Sequence, residues 1–145
     1  MREILFRGKT LNDEWVEGAY YHQTEFYGDS FDGHNIITTT DELEDNMMNV
    51  CLVIPETVGQ YTGLTDKNGT KIFEGDIVKA QDDITGSPFC NGITGKVVYE
   101  ETAFFIEPQD PMETQWLFNE CAVYEVIGNI HDNPESLGGA NNETN

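Results

Sequence analysis

Positive charge is what this sequence has least of. Seven Lys and Arg residues stand against 27 Asp and Glu, for a formal net charge of −20. Arg2, Arg7 and Lys9 open the chain, and Lys67, Lys71, Lys79 and Lys96 lie in its middle. No cation falls between Lys9 and Lys67, and none follows Lys96. A field of that sign repels nucleic-acid phosphate and favours solubility, so direct nucleic-acid binding is not expected. Two readings of the charge remain: a solvated surface, or an acidic face that meets a basic partner.

Cysteine is also scarce. Cys51, Cys90 and Cys121 are odd in number, far apart and without CxxC spacing, which argues against a disulfide framework and a zinc site. They are expected as reduced thiols, mostly buried, because free Cys packs as a small hydrophobe. No apolar run approaches the roughly 18–20 residues of a membrane span. Met1-Arg2-Glu3 leads into a strand-like segment rather than a signal-peptide hydrophobic region, so a cytoplasmic protein is expected, with no membrane partner.

Chemical motifs are missing as well. GxSxG, the P-loop and GxGxxG do not occur. No pair among His22, His34 and His131 has metal-ligand spacing along the chain, and none sits in a nucleophile motif. Asp29, Asp32 and Asn35 match no known cation loop. In Asp66-Lys67-Asn68-Gly69 the glycine comes too early for an EF-hand loop, and its flanks read as strands. Carboxylate pairs are too common here to discriminate anything. The expectation is therefore no enzyme, no catalytic residue, no cofactor and no metal.

The chain of 145 residues, 38% hydrophobic, suits one domain. No helical period is sustained. Short strands recur between turn signals, which argues for an all-β barrel or sandwich. Glu3–Gly8 and Glu14–His22 read as a first hairpin, with Gly18 marking a bulge or a close backbone approach. Gln23–Gly33 reads as turn-rich, His34–Thr40 as a strand, Asp41–Asn46 as an acidic loop or helical turn, and Asn49–Ile54 as a strand ended by Pro55. Thr94–Glu100, Thr102–Glu107 and Ala122–Ile130 read as further strands, with a turn of helix at Gln115–Glu120. The segment 138–145 has no large apolar residue and is expected to be disordered.

The densest signal is Val58–Val78, VGQYTGLTDKNGTKIFEGDIV: strand, turn, short strand, turn, strand. Asn68-Gly69 is a strong hairpin signal, because both residue types tolerate positive φ and match the twist of flanking strands. A Gly75-Asp76 turn feeding one strand, a variable loop, and the hairpin in TGKVVYEETAFFIEP together fit an SH3-like barrel.

This stretch also resembles the YopX family of phage and prophage proteins. So do the ending EVIGNIHDNPESL at Glu125–Leu137 and the opening ILFRGKTLNDEWVEGAYYH at Ile4–His22. The resemblance spans nearly the whole chain in order. It implies a mainly β fold: an SH3-like barrel core at about 58–130 with additional N-terminal strands, in one domain over 1–137. It also implies a phage or prophage accessory role. The residues that carry it are Gln60, Tyr61, Thr62, Gly63, Leu64, Asp66, Asn68, Gly69, Gly75, Asp76, Gly128 and Asn129, all read as mainly structural. No catalytic residue comes with it.

Aromatics concentrate early, at Trp15, Tyr20, Tyr21, Phe26, Tyr27 and Phe31. Core packing is their default, and an exposed set rimmed by carboxylates would be a protein-binding surface. Arg7, Trp15, Tyr20, Tyr27 and Phe31 are the candidates, with Arg7 also expected in an internal ion pair. The function expected is a non-enzymatic interaction module whose acidic surface acts on a basic host protein, in its sharpest form as a DNA mimic against a defence factor. The alternative is a protein that binds or sequesters a nucleotide signal, which needs a cationic pocket that seven basic residues can hardly build. The apolar strand at Asn49–Ile54 adds the expectation of a homo-oligomer.

One consequence follows from charge alone. Many of the 27 carboxylates lie within a Debye length of about 10 Å at 0.1 M salt. Moderate sodium chloride should raise the melting temperature measured by calorimetry. A flat or falling response would show that the charges are already separated or paired.

Overall fold

The computed structural model describes residues 3–39 and 48–138. The acidic segment Asp41–Asn46 and all but the first residue of the 138–145 tail lie outside the described residues. The fold is mainly β. The only helical segments among the described residues are 3-10 turns at Pro55–Thr57, Pro111–Glu113 and Pro134–Leu137. Each opens on a proline, whose fixed φ suits the first position of a helical turn. Among the described residues no helix is long and apolar enough to cross a membrane. The chain divides into two compact units, Met1–Tyr61 and Thr62–Asn145, close to the start of the 58–130 region expected as a core.

The first unit contains β1 (Phe6–Lys9), β2 (Trp15–Phe26), β3 (Asp29–Thr39), β4 (Met48–Leu52) and the start of β5 (Gly59–Thr65). Their order is β4-β3-β2-β1-β5. The β1–β2 hairpin forms as expected, from Phe6↔Gly18 to Lys9↔Trp15. Gly18 marks a close backbone approach: a Cβ there would lie 2.0 Å from the Ile37 carbonyl oxygen. The connection from β4 to β5 is held by Thr57, whose buried hydroxyl accepts from Lys9 N at 2.8 Å and donates to the Ile54 carbonyl. Among the described residues of this unit, Ile36, Val53 and Tyr61 are the buried apolar ones.

The region 23–33, expected to be turns, is mostly strand. β2 runs on to Phe26, β3 begins at Asp29, and the two are joined by Tyr27-Gly28 alone. Both turn residues have positive φ, 50° and 84°, the conformation of a two-residue type I′ turn that matches strand twist. Polar composition suggested a loop there, but ladder hydrogen bonds do not require apolar side chains on an exposed hairpin.

The second unit contains the end of β5, then β6 (Lys71–Phe73), β7 (Asp76–Gln81), β8 (Ile93–Glu100), β9 (Ala103–Glu107), β10 (Gln115–Trp116) and β11 (Val123–Asn129). Its five-stranded sheet has the order β10-β9-β8-β7-β11. Ile72, Val78, Ala80, Phe89, Val97, Ile106, Leu117 and Tyr124 form one buried cluster against it. Along β7, Asp76, Val78 and Ala80 form one buried face, while on the other Ile77 is buried and Lys79 and Gln81 are exposed. The Tyr124 hydroxyl donates to the Leu117 carbonyl and so satisfies the polar end of a buried ring.

Two expectations need correction. Gln115–Glu120 is not a turn of helix, since Gln115 and Trp116 pair with Ile106 and Phe105 as β10. Among the described residues there is no closed barrel either, because the five-stranded sheet stays open with β10 and β11 at its edges. β10 is two residues long and follows a loop with two prolines, too little strand to continue the pairing. On β11, two outward polar groups are already used by a turn. The Tyr124 carbonyl accepts from Lys67 N at 2.9 Å, and Val126 N donates to Asp66 Oδ2 at 3.0 Å.

Asp66 therefore acts at two places. Its Oδ1 accepts from Asn68 N at 2.8 Å and Thr70 N at 2.9 Å, which shapes the β5–β6 turn, while Oδ2 holds β11. Gly69 N donates back to the Asp66 carbonyl, and Gly69 has φ 82°. Asn68 is not at positive φ, so the bulged form of the hairpin is adopted, with glycine alone in the left-handed position. Burial pushes the Asp66 carboxyl up, but the N–H groups of Val126, Thr70 and Asn68 outweigh it and hold the group below its ordinary value.

Two predictions follow. A Cβ at Gly69 meets nothing within 4 Å, so Gly69→Val should cost only the backbone strain, about 1–2 kcal/mol. An unchanged melting temperature would contradict this origin. A depressed folded pKa contributes stability that is present above the ordinary carboxylate range and lost as pH falls through the lower folded value. Asp66→Ala should cost about 2–3 kcal/mol at neutral pH, because it strands backbone donors. Its stability, followed by urea denaturation, should also fall less steeply in acid. Parallel acid profiles for the two proteins would show that Asp66 is not the titrating support.

Candidate functional site

The β2–β3 hairpin gathers most of the early aromatics. Ala19↔Ile37 through Gln23↔Gly33 pair in one register, and Glu25↔Ser30 and Phe26↔Asp29 in another. The shift leaves Phe31 and Asp32 of β3 opposite Thr24 of β2, a bulge that supplies an extra residue and re-aims local side chains. Alternation then divides the hairpin into two faces.

One face carries Gln23 and Asn35, and beside them the edge strand β4 contributes Val50 and Leu52, paired with Ile37 and Asn35. With Phe26 and Phe31 these residues line an open apolar hollow of about 370 Å³. Phe31 lies over Gly33, whose missing side chain makes room for the ring. Val50 is 65% and Leu52 49% exposed, so the apolar strand expected at Asn49–Ile54 leaves one of its faces open. At the tip, Tyr27 meets Phe26 edge-on with centroids 4.6 Å apart and is 92% exposed. Glu25 and Asp29 are the charged neighbours in the tip, and no Lys or Arg occurs between Lys9 and Lys67.

The other face carries Tyr20, His22, Asp32 and His34. His22 and His34 are direct cross-strand partners, and their rings stack with centroids 4.3 Å apart. The Nε2 atoms of both rings approach Asp32 Oδ1, at 2.6 Å from His22 and 3.2 Å from His34. The His22 hydrogen bond, opposed by burial and aided by both imidazoles, holds the Asp32 carboxyl below its ordinary value. The Tyr20 hydroxyl bonds Nδ1 of His34, and burial followed by the Asp32 charge pushes that hydroxyl up. Linear spacing hid this cluster, because the two histidines are brought opposite each other only by a turn at 27–28. The Tyr27-Gly28 dipeptide was the available signal. Of Asp29, Asp32 and Asn35, only Asp32 joins it. Asn35 is buried and donates to the Tyr21 and Gly33 carbonyls.

The five residues proposed as one binding surface are thus separated. Tyr27 and Phe31 share the tip with Phe26, an aromatic outside that set of five. Tyr20 lies on the histidine face against Phe6. Arg7 sits with its guanidinium over the Trp15 ring, 4.8 Å from the centroid, at the far end of the hairpin. At about 3.3 Å per residue, Trp15 and Tyr27 are nearly 40 Å apart along the strand.

The motif residues sit where a scaffold role places them. Tyr61 is buried, Gln60 pairs with Phe6, the Thr62 hydroxyl donates to the Ile72 carbonyl, and Leu64 packs on the second-unit cluster. Gly63 and Gly75 have positive φ, and Asp76 Oδ2 accepts from Phe73 N at 2.7 Å. A Cβ at Gly128 would collide with Asn133, and Asn129 Oδ1 caps the chain by accepting from His131 N and Asp132 N. Among the cysteines, Cys51 and Cys90 are half-buried and Cys121 is exposed, against the expectation of mostly buried thiols.

In the second unit a polar hollow of about 290 Å³ includes Lys67 and Lys79. Lys67 is paired with Glu125 at 3.2 Å, and Asp82 and Asp83 line the same space.

Comparison with known proteins agrees with this scaffold. Protein EF1440 from Enterococcus faecalis is similar in fold, with a TM-score of 0.51 and 24% identity over 94% of this chain and 99% of that one. Protein yopX from Bacillus subtilis is similar too, with a TM-score of 0.53 and 15% identity over 93% of this chain and 98% of that one. No curated protein matches the chain. The model of the family described as YopX protein matches residues 5–138, nearly the full length, and the chain belongs to the YopX family.

Proposed function

We propose that this protein is a non-enzymatic phage or prophage accessory protein that binds a basic host protein in the bacterial cytosol. The contact is the tip of the β2–β3 hairpin together with the apolar hollow beside β4. Tyr27 carries this reading. A tyrosine with φ 50° occupies a position that Asn or Gly fills with less strain, and its ring is 92% exposed. The backbone does not favour that choice, the edge-on contact with Phe26 leaves the ring almost wholly exposed, and an exposed aromatic is a common binding anchor. The absence of Lys and Arg from 10–66 selects a partner of opposite charge.

The small-ligand alternative is less well supported, because carboxylates surround the two lysines of the polar hollow. A second copy of the chain is the competing occupant of the tip, and it would bring together two proteins of charge −20 each.

The test uses a photo-crosslinker at residue 26 in host lysate, followed by affinity measurement with the purified partner. The captured protein should be basic, and its affinity should fall with salt. Tyr27→Asn should weaken binding by about 2 kcal/mol, roughly thirtyfold in Kd. Relief of backbone strain should offset the lost Phe26 contact, leaving the melting temperature unchanged or higher. Equal affinity of the variant would overturn the proposal. So would pure protein that sediments as a dimer which Tyr27→Asn dissolves, an outcome that assigns the tip to self-assembly.

A further inference from the structure

We infer that His22, Asp32 and His34 form a site for a divalent transition-metal ion of the zinc type. One ligand atom from each residue lies within 4.8 Å of the others. Two imidazole nitrogens and one carboxylate oxygen suit zinc and its neighbours, whereas calcium and magnesium prefer all-oxygen sites. Three protein ligands leave a coordination position for water, as the exposed setting allows.

The scaffold is suited to this role. Both histidines project from long paired strands at directly opposed positions, so their separation is set by the ladder rather than by a loop. Asp32 sits in the β3 bulge, free of a one-to-one partner, and its side chain is 76% exposed. That freedom matters, because tetrahedral ligands about 2.0–2.1 Å from a metal stand about 3.3 Å apart. The 2.6 Å contact between His22 and Asp32 must therefore open by several tenths of an ångström, which an exposed carboxylate does by rotating.

Tyr20 supplies the outer support. Its hydroxyl bonds Nδ1 of His34 and leaves Nε2 facing Asp32. A hydroxyl both donates and accepts, so it accommodates the tautomer with hydrogen on Nδ1 that metal binding at Nε2 requires. By itself an exposed His–Asp contact contributes little to stability, whereas an ion would draw on both stacked imidazoles and the carboxylate oxygen they share. The strongly acidic chain also concentrates cations at its surface.

Full-length, untagged protein is stripped with a chelator, dialysed and titrated with zinc chloride by calorimetry, and with cobalt(II) by visible absorption. One equivalent of zinc should bind and raise the melting temperature, and millimolar calcium or magnesium should do neither. His22→Gln and Asp32→Asn alter exposed side chains and should fold normally, yet each should weaken zinc binding at least tenfold and remove the cobalt band. Tyr20→Phe should weaken it about tenfold. His131→Gln and Cys121→Ser should leave it unchanged. Zinc binding that survives both His22→Gln and Asp32→Asn, or no saturable one-equivalent binding by the parent chain, would overturn the assignment.

Discussion

Three backbone N–H groups on one buried carboxylate do much to organise the second unit. Asp66 closes the β5–β6 turn through Asn68 and Thr70, and reaches Val126 on a strand sixty residues later in the chain. A charged acceptor suits this task, because hydrogen bonds to a carboxylate are stronger than neutral ones and three donors share the cost of burying it. The same contact decides where the sheet stops. Once Asp66 and Lys67 take the outward groups of Val126 and Tyr124, no strand can pair there, and β11 becomes a protected edge.

The first unit is arranged on the opposite principle. Its long hairpin runs past buried Asn35 to a tip whose side chains from Thr24 to Asp32 are exposed. What holds it there is ladder pairing, a two-residue turn and side-chain contacts among Phe26, Tyr27, Phe31, His22 and His34. Pairing two strands over this length mainly to carry solvent-facing aromatics and imidazoles is poor economy for stability alone. It suits a structure that presents groups outward, with one face apolar and the other rich in nitrogen and oxygen donors.

Charge links the two faces to their proposed partners. With no Lys or Arg between Lys9 and Lys67, the hairpin has no Lys or Arg of its own. A basic protein at the tip and a divalent ion on the histidine face are different ligands, but both relieve an excess of negative charge. The aromatic anchor supplies specificity in the first case and the cross-strand imidazole pair in the second.

Local chemistry was readable from the residues themselves. Asn68-Gly69, the alternation in TGKVVYEETAFFIEP and the turn residues of Val58–Val78 foretold a β protein with a hairpin at Asn68-Gly69, and the long motif pointed to the family. Each of these depends on neighbours in the chain. Pairings between distant segments do not. The register that sets His22 against His34 depends on a turn at 27–28 and a bulge at 31–32. A slip of one residue would send every side chain to the other face. Likewise, TGKVVYEETAFFIEP suggested a barrel, but closure depends on whether two edge strands have free hydrogen-bonding groups to offer each other. That was settled by Asp66 and Lys67 at β11 and by the shortness of β10, long-range facts that only the folded chain contains.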